Sequence, residues 1–320
     1  MQTEKFDYQE FITKLVSFSP RQLKGEKKAG AFLVSLLKKK AVSFTLQNFF
    51  VDIPLTREAI LLADGKKIEC EGCSFLSGKI ENNDVIISSL LPSAICQEIP
   101  NINFNPRCAG ISLKNYYFAP ALCVNYRAIS SIIEAKKVVG KVLVKKVRHQ
   151  SANILVGNIN NPKTISFAHY DSIKKGAIDN ASGVAVLMKA IWEKPEILKE
   201  HLLIFSGSEE LSYDKPIYWG SGFRALEKEY ASILDKAKKI FVVDCVGNAH
   251  ATTIKDLTIA KLAFPIVNLD KVGKKVEIIT ADLDDLMQVY HSDLDDGRKI
   301  TKRYFNEAFD LFARKIVDSR

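Results

Sequence analysis

No apolar run in the 320-residue chain is long enough to cross a bilayer, although hydrophobic residues make up 47% of it. No membrane association is therefore expected. The opening stretch MQTEKFDYQEF lacks the basic start and apolar centre of a secretory signal, so a soluble, cytoplasmic protein is expected. Cysteine is sparse and scattered, at Cys70, Cys73, Cys96, Cys108, Cys123 and Cys245. The CEGC run has metal-type spacing, but no second pair and no suitable histidines follow it nearby. Buried free thiols are expected there rather than a zinc knuckle. Internal repeats are absent. Glutamine is scarce beside abundant lysine, isoleucine and valine, a balance that leans towards a heat-adapted source.

The formal charge of +9 raises nucleic acid as a partner. The lysines, however, are spread in short clusters such as Lys38-Lys39-Lys40 and Lys145-Lys146, and no nucleic-acid-binding signature accompanies them. A solvated lysine-rich surface is expected, and no nucleic-acid partner.

The first 40 residues read as helical, with Phe11, Leu15 and Val16 at helical spacing and then Ala29, Phe32, Leu33, Leu36 and Leu37 over 23–39. Pro20 fits between the two segments. A strand is expected at 43–51. From about 54 to 146 short apolar runs alternate with Gly, Asn and Pro (KKIECEGC, NDVIISS, GISLKNYYFAPALCV, VGKVLVKKV), which reads as a β-rich unit with one helix at 130–137. Beyond 151 strands alternate with helices. Strands are expected at 152–156, 164–169, 202–206, 239–244 and 276–280, and helices at 180–192, 221–230 and 299–316. The expected fold is α/β, with a mixed, mostly parallel central sheet and helices on both faces. Residues 1–53 and 147–320 form its main domain, and 54–146 a small β-rich insertion serving as lid, dimerisation surface or accessory domain.

Residues suited to metals recur at the carboxyl ends of the expected strands, where α/β folds build their sites. One apolar run ends in His169-Tyr170-Asp171, another in Glu209-Glu210, and a third in Asp244, while Asp179-Asn180 stands just ahead of a helix. Each has a bland reading by itself: Asp244 and Asp179 as helix caps, Glu209-Glu210 as solvated charge, His169 as a half-buried polar residue, His291 as a turn residue. Together they crowd negative charge unless a cation sits among them.

The segments HYDS at 169–172, GAIDNASGVA at 176–185, SGSEE at 206–210, VVD at 242–244 and YHSDLD at 290–295 resemble the di-zinc aminopeptidase family. That family includes aminopeptidase Y and the glutamate carboxypeptidases, and has the zinc-exopeptidase (phosphorylase/hydrolase-like) fold. The resemblance covers roughly 151–317. It implies two zinc ions, with cobalt or manganese as alternatives suited to the same donors. Asp179 would bridge them, His169 and Glu210 would complete one site, and Asp244 and His291 the other. Asp171 would orient the His169 imidazole and counts with Glu209 as catalytic; Asp295 would support His291. The Asp179–Asn180 peptide is expected to be cis. Glu209 would be the general acid/base, shuttling a proton between a metal-bridging hydroxide and the leaving amine of a peptide substrate. An aminopeptidase is the main reading. Carboxypeptidase, other amide hydrolase, glutaminyl cyclase and a non-catalytic binding protein remain alternatives, and a homo-oligomer is left open. One departure from the family pattern is LSYDKPIYW, which intervenes before Gly220-Ser221 and lengthens a loop over the site. Packing under that loop is expected of Tyr218 and Trp219.

Overall fold

The computed structural model describes residues 5–81, 86–92 and 96–319. Residues 1–4, part of the stretch read for a secretory pattern, and 83–85 of NDVIISS lie outside the described residues.

In chain order, α1 (Tyr8–Val16) and α2 (Lys24–Lys39) lead into the long strand β1 (Phe44–Ala63). Short strands follow: β2 (Lys66–Ile68), β3 (Cys70–Gly72), β4 (Gly78–Ile80), β5 (Ile86–Ser88), β6 (Asn101–Phe104) and β7 (Ala121–Val124). Then come α3 (Ile129–Glu134), a second long strand β8 (Val138–Gly157) and β9 (Thr164–His169). The chain continues through α4 (Ser182–Glu193), β10 (His201–Ser206), α5 (Ser221–Lys236) and β11 (Lys239–Val243). It ends with β12 (Thr252–Ile254), α6 (Leu257–Ala263), α7 (Leu269–Val272), β13 (Val276–Thr280), α8 (Leu283–Leu286) and α9 (Lys302–Asp318). Two units result. The first comprises Met1–Val51, Gln150–Leu286 and Asp295–Arg320; the second comprises Asp52–His149 and Met287–Leu294.

The sheet of the first unit runs β12-β13-β11-β9-β10-β8-β1. β9 lies parallel to both β10 and β11, and β11 parallel to β13, while β8 and β12 are antiparallel to their neighbours β10 and β13. Its central strands are apolar on both faces because helices cover both. Leu203 and Phe205 of β10 enter one core with Phe241 and Val243 of β11, against α1, α2, α4 and α9. The alternate residues Leu202, Ile204, Ile240 and Val242 enter the other, against Phe223, Leu226 and Ile233 of α5. This two-residue alternation is what a pleated strand imposes. Helix α4 is buried continuously from Ser182 to Ile191, so it sits inside the unit rather than on its rim. By contrast α9 buries Phe305, Ala308, Phe309, Phe312 and Ile316 on one stripe, and its N-cap Thr301 accepts the Tyr304 N–H.

The second unit holds a four-stranded sheet in the order β3-β7-β6-β5. Its core gathers Leu61, Ile80, Ile102, Leu122, Val124, Ile132, Val138 and Val142. All six cysteines are free thiols, with Cys70 half-buried and the others buried.

Several elements depart from the sequence expectation. The strand expected at 43–51 runs on to Ala63, and the helix expected at 221–230 continues to Lys236 past a kink at Tyr230. Helix α4 starts at Ser182 because the preceding turn, Ala177–Ala181, holds Asp179 and Asn180 in non-helical conformations. Strand β12 and helices α6 and α7 were not expected. Among the described residues no helix is long and apolar enough to cross a membrane.

Candidate metal centre

Three strands of the first unit end side by side. The parallel register pairs Ser206 with His169 and Val242 with Phe167, so the carboxyl ends of β9, β10 and β11 lie along one edge. Beyond them come His169-Tyr170-Asp171, Gly207-Ser208-Glu209-Glu210 and Asp244. The chain leaves β9 for α4 on one face of the sheet and leaves the neighbouring β10 for α5 on the other, which makes this the crevice where open α/β sheets bind ligands.

The structure brings His169, Asp179 and Asp244 together: one ligand atom from each lies within 4.8 Å of the others. His169 Nε2 is 3.0 Å from Asp179 Oδ1 and 3.6 Å from Asp244 Oδ1. On the other side of the ring, Nδ1 is 3.4 Å from Asp171 Oδ1. Asp171 thus lies behind the imidazole. It also does more, because its two oxygens accept the backbone N–H groups of Glu209 and Glu210, each at 3.0 Å. One fully buried carboxylate thus stands behind the histidine and holds the backbone of both glutamates. The pairing within the ligand set differs from that expected: His169 groups with Asp244, which the resemblance placed on the other metal.

Asp179 is carried by a tight turn. Gly176 enters it in the left-handed region at φ 59°, where a Cβ would lie 2.3 Å from the Asp179 carbonyl oxygen. The Asp179–Asn180 peptide is cis, as expected. The Asn180 side-chain amide donates to the Val243 carbonyl at 2.9 Å and its oxygen accepts the Gly183 N–H at 3.0 Å. That contact draws the first turn of α4 onto the end of β11, and a Cβ at Gly183 would lie 2.4 Å from the Val243 oxygen. Asp295, expected beside the His291 ring, instead holds this turn: Oδ1 accepts the Ile178 N–H at 2.8 Å and Oδ2 the Asp179 N–H at 3.1 Å.

Asp171, Asp179, Glu209, Glu210 and Asp295 are all buried, and Asp244 is half-buried. The positive charge set against them is the guanidinium of Arg21, fully buried nearby. Burial lowers Arg21 to about 10, while Asp171, Asp295, Glu210 and Asp179 pull it back up. Burial also holds the Glu209 carboxyl well above the ordinary carboxylate range; His169 opposes this, and Glu210, Asp171 and Asp244 reinforce it. Burial pushes Asp295 up to about 7, against its two N–H donors. For His169 burial acts downwards, yet hydrogen bonding to Asp171, Asp179 and Asp244 leaves it raised well above its ordinary value. A divalent cation among the carboxylates and the imidazole would neutralise the crowding, and a His/Asp/Glu donor set suits zinc, cobalt or manganese. The residues present fit such an ion.

His291 lies in the segment Met287–Leu294 of the second unit. There its Nδ1 is 3.2 Å from the Leu113 carbonyl, and its own carbonyl accepts the Leu113 N–H at 2.9 Å. Donation from Nδ1 leaves the lone pair on Nε2, the tautomer a metal ligand uses. Cys245 was not singled out from sequence as a site residue. Its thiol donates to Asp244 Oδ1 at 3.2 Å, and burial, then Asp179 and Asp244, push it well above its ordinary value. In the long loop Tyr218 is buried, its ring meets that of Trp219 edge-on at 5.0 Å, and the indole donates to the Leu262 carbonyl. Both aromatics pack, as expected. The loop closes where the Gly220 N–H reaches the Glu209 carbonyl at 2.5 Å.

Residues 153–249 match the model of Peptidase family M28, a metallopeptidase family. No curated protein matches the chain in sequence. In structure the chain is similar to BSAP, a zinc aminopeptidase from Bacillus subtilis, at 16% identity and a TM-score of 0.68, covering 100% of this chain and 96% of that one. It is also similar to an aminopeptidase from Aneurinibacillus sp. strain AM-1, at 16% identity and a TM-score of 0.62, covering 99% and 95% of the two chains. A glutaminyl cyclase from an Acidobacteriales bacterium aligns at 14% identity and a TM-score of 0.55, covering 100% and 96%. At these identities the three likenesses show a shared mixed α/β fold. The M28 match, residues 153–249, spans His169, Asp179, Glu209, Glu210 and Asp244.

Proposed function

We propose that this chain, with its M28 peptidase segment, is an aminopeptidase that binds two zinc ions and releases N-terminal residues from peptides. The observation that carries the reading is the buried group of His169, Asp179 and Asp244, with Glu209 and Glu210 hung beside it on Asp171. His169, Asp179 and Asp244 would hold one ion, and Asp179 with Glu210 and His291 would hold the second. His291 enters on its sequence position. The structural likeness to a zinc aminopeptidase and to a second aminopeptidase supports the exopeptidase reading over other amide hydrolysis.

When bound, the metals supply Lewis acidity, polarising the scissile carbonyl and making water acidic enough to act near neutral pH. Glu209 supplies the proton transfer: its buried carboxyl takes a proton from the attacking water and delivers it to the leaving amine nitrogen. Asp171 keeps the His169 ring in register and fixes the backbone of Glu209, so the base is held in place before substrate arrives. Asp295 holds the turn that presents Asp179.

The test combines metal analysis with a panel of aminoacyl-p-nitroanilides and N-blocked peptides. Cleavage of free but not blocked N-termini is expected. Cleavage of blocked peptides would move the reading to a carboxypeptidase or another amide hydrolase, and cyclisation of N-terminal glutamine without cleavage would move it to a cyclase. We also propose a heat-adapted source from the composition; a melting temperature of about 45–65 °C, ordinary for mesophile domains, would rule that out.

A further inference from the structure

The segment between α1 and α2 lies outside the family match, yet its side chains enter the turns that carry the candidate ligands. Arg21 has no solvent-accessible surface. Its guanidinium donates from Nε to the Tyr170 carbonyl at 2.6 Å, and from its terminal nitrogens to the carbonyls of Lys175 at 2.9 Å, Gly176 at 2.8 Å and Asp171 at 3.4 Å. The remaining contact is Ser19 Oγ at 3.1 Å, which itself donates to the Lys175 carbonyl at 2.8 Å. The main chain repeats the link, since Arg21 N–H reaches Ser172 Oγ at 3.3 Å and the Ser172 N–H reaches the Arg21 carbonyl at 3.2 Å.

Two turns are thereby joined. Tyr170 and Asp171 follow the candidate ligand His169, while Lys175 and Gly176 lead into Asp179. A guanidinium presents five N–H donors in a rigid plane, so four carbonyls converging on it fix the separation of the two turns in a way a single ammonium does not. In the first turn of α2, buried Glu26 accepts from Ser208 Oγ at 3.1 Å and from Ser151 Oγ, and Ser208 sits at φ 47° directly before Glu209. The same stretch of chain therefore grips the segments carrying His169, Asp179 and Glu209.

We infer that Arg21 is a positioning residue for the metal centre, holding His169 and Asp179 at coordinating separation through the backbone carbonyls of residues 170, 171, 175 and 176. The inference rests on the proposed metal site. It predicts that the planar fork is needed, beyond the positive charge. Outer contacts of this kind change metal affinity by about 10- to 100-fold when removed.

The full chain is stripped of metal and titrated with zinc against a chromogenic chelator, for wild type, Arg21→Lys and Arg21→Met. Each is also melted with and without zinc, because binding to the folded state raises Tm by an amount set by the affinity. Both variants are expected to lose about 10-fold or more in zinc affinity, with a smaller zinc-induced rise in Tm. If the stripped and loaded forms of Arg21→Lys fall together and the zinc-induced rise is unchanged, Arg21 is merely structural and the inference is overturned. Full affinity in Arg21→Lys with loss in Arg21→Met would assign the effect to charge and also overturn it. Should both variants fail to fold, Ser19→Ala decides the question: it removes one contact to the guanidinium and is expected to weaken zinc binding about threefold, and an unchanged affinity overturns the inference. Wild type that takes up no zinc overturns the metal site itself, and this inference with it.

Discussion

Asp295 and Asp179 are joined through the backbone: Asp295 Oδ2 accepts the Asp179 N–H at 3.1 Å while its other oxygen accepts the Ile178 N–H at 2.8 Å. A carboxylate 1% exposed is thus committed to the turn that presents a candidate bridging ligand. Replacing Asp295 by alanine strands two buried N–H groups. The expected loss is about 2–6 kcal/mol of unfolding free energy in the stripped protein, since each buried N–H left without its acceptor costs on the order of 1–3 kcal/mol. Urea titration measures it, and a loss below about 0.5 kcal/mol would contradict the role given to this residue.

Glu209→Gln keeps size and backbone but removes the group that moves the proton. Zinc content is expected to stay at the wild-type level while kcat falls by about 2–4 kcal/mol of barrier, roughly 30- to 1000-fold. Near-normal turnover in a fully loaded variant would end the assignment.

Asp171→Asn puts an amide NH2 where one of two N–H groups, Glu209 or Glu210, now finds an acceptor. Activity and zinc affinity are expected to fall together, each by about 10- to 100-fold. Loss of activity at unchanged zinc affinity would point to a direct catalytic part for Asp171 instead.

Removing the metal with a chelator is expected to abolish hydrolysis and lower Tm, and zinc or cobalt is expected to restore both. At zinc 100-fold above Kd the linked stabilisation is about 2.7 kcal/mol, which differential scanning calorimetry resolves. An unshifted melting curve would mean that the folded chain holds no ion.

Far from the centre, Glu277 on β13 takes Lys239, Lys255 and Lys315 at 2.9, 3.0 and 3.0 Å. Burial alone would raise its carboxyl, but the three lysines hold it at about 2, below the ordinary 4.5. A depressed carboxyl stabilises the fold above its unfolded value and loses that effect as it takes up a proton. The Tm deficit of Glu277→Gln is therefore expected to be full above pH 4.5 and to shrink as the pH falls towards 2. A deficit that does not change over this window would show that the lysines contribute nothing specific.

The strands that frame the centre were legible because each is short, apolar on both faces and ended by a polar ligand type. Thr164–His169 has the bounds expected, and β10 and β11 differ from theirs by one residue. The two glutamates and Asp244 were legible for the same reason. What could not be read was where long-range partners go. Arg21 looks like any charged residue before a helix; its four carbonyl partners lie about 150 positions away and carry no side-chain signal. Asp295 stands four residues from His291, and sequence proximity suggested a link to that ring, whereas its oxygens meet N–H groups over 100 positions earlier. The extension of β1 to Ala63 was hidden by Asp52, Pro54 and Arg57, which break the apolar pattern on its half-buried second half. The small elements between β11 and β13 are too short to build a periodicity.

The Asn180 bridge between Gly183 and Val243 has a consequence for how this centre can drift over evolutionary time. Because bare main chain touches main chain there, the gap between Asp179 and Asp244 is gauged by two peptide groups. Apolar residues beneath can exchange methyl groups without altering it. Gly183, by contrast, admits no replacement, because even alanine would drive the helix off the strand and prise the two carboxylates apart.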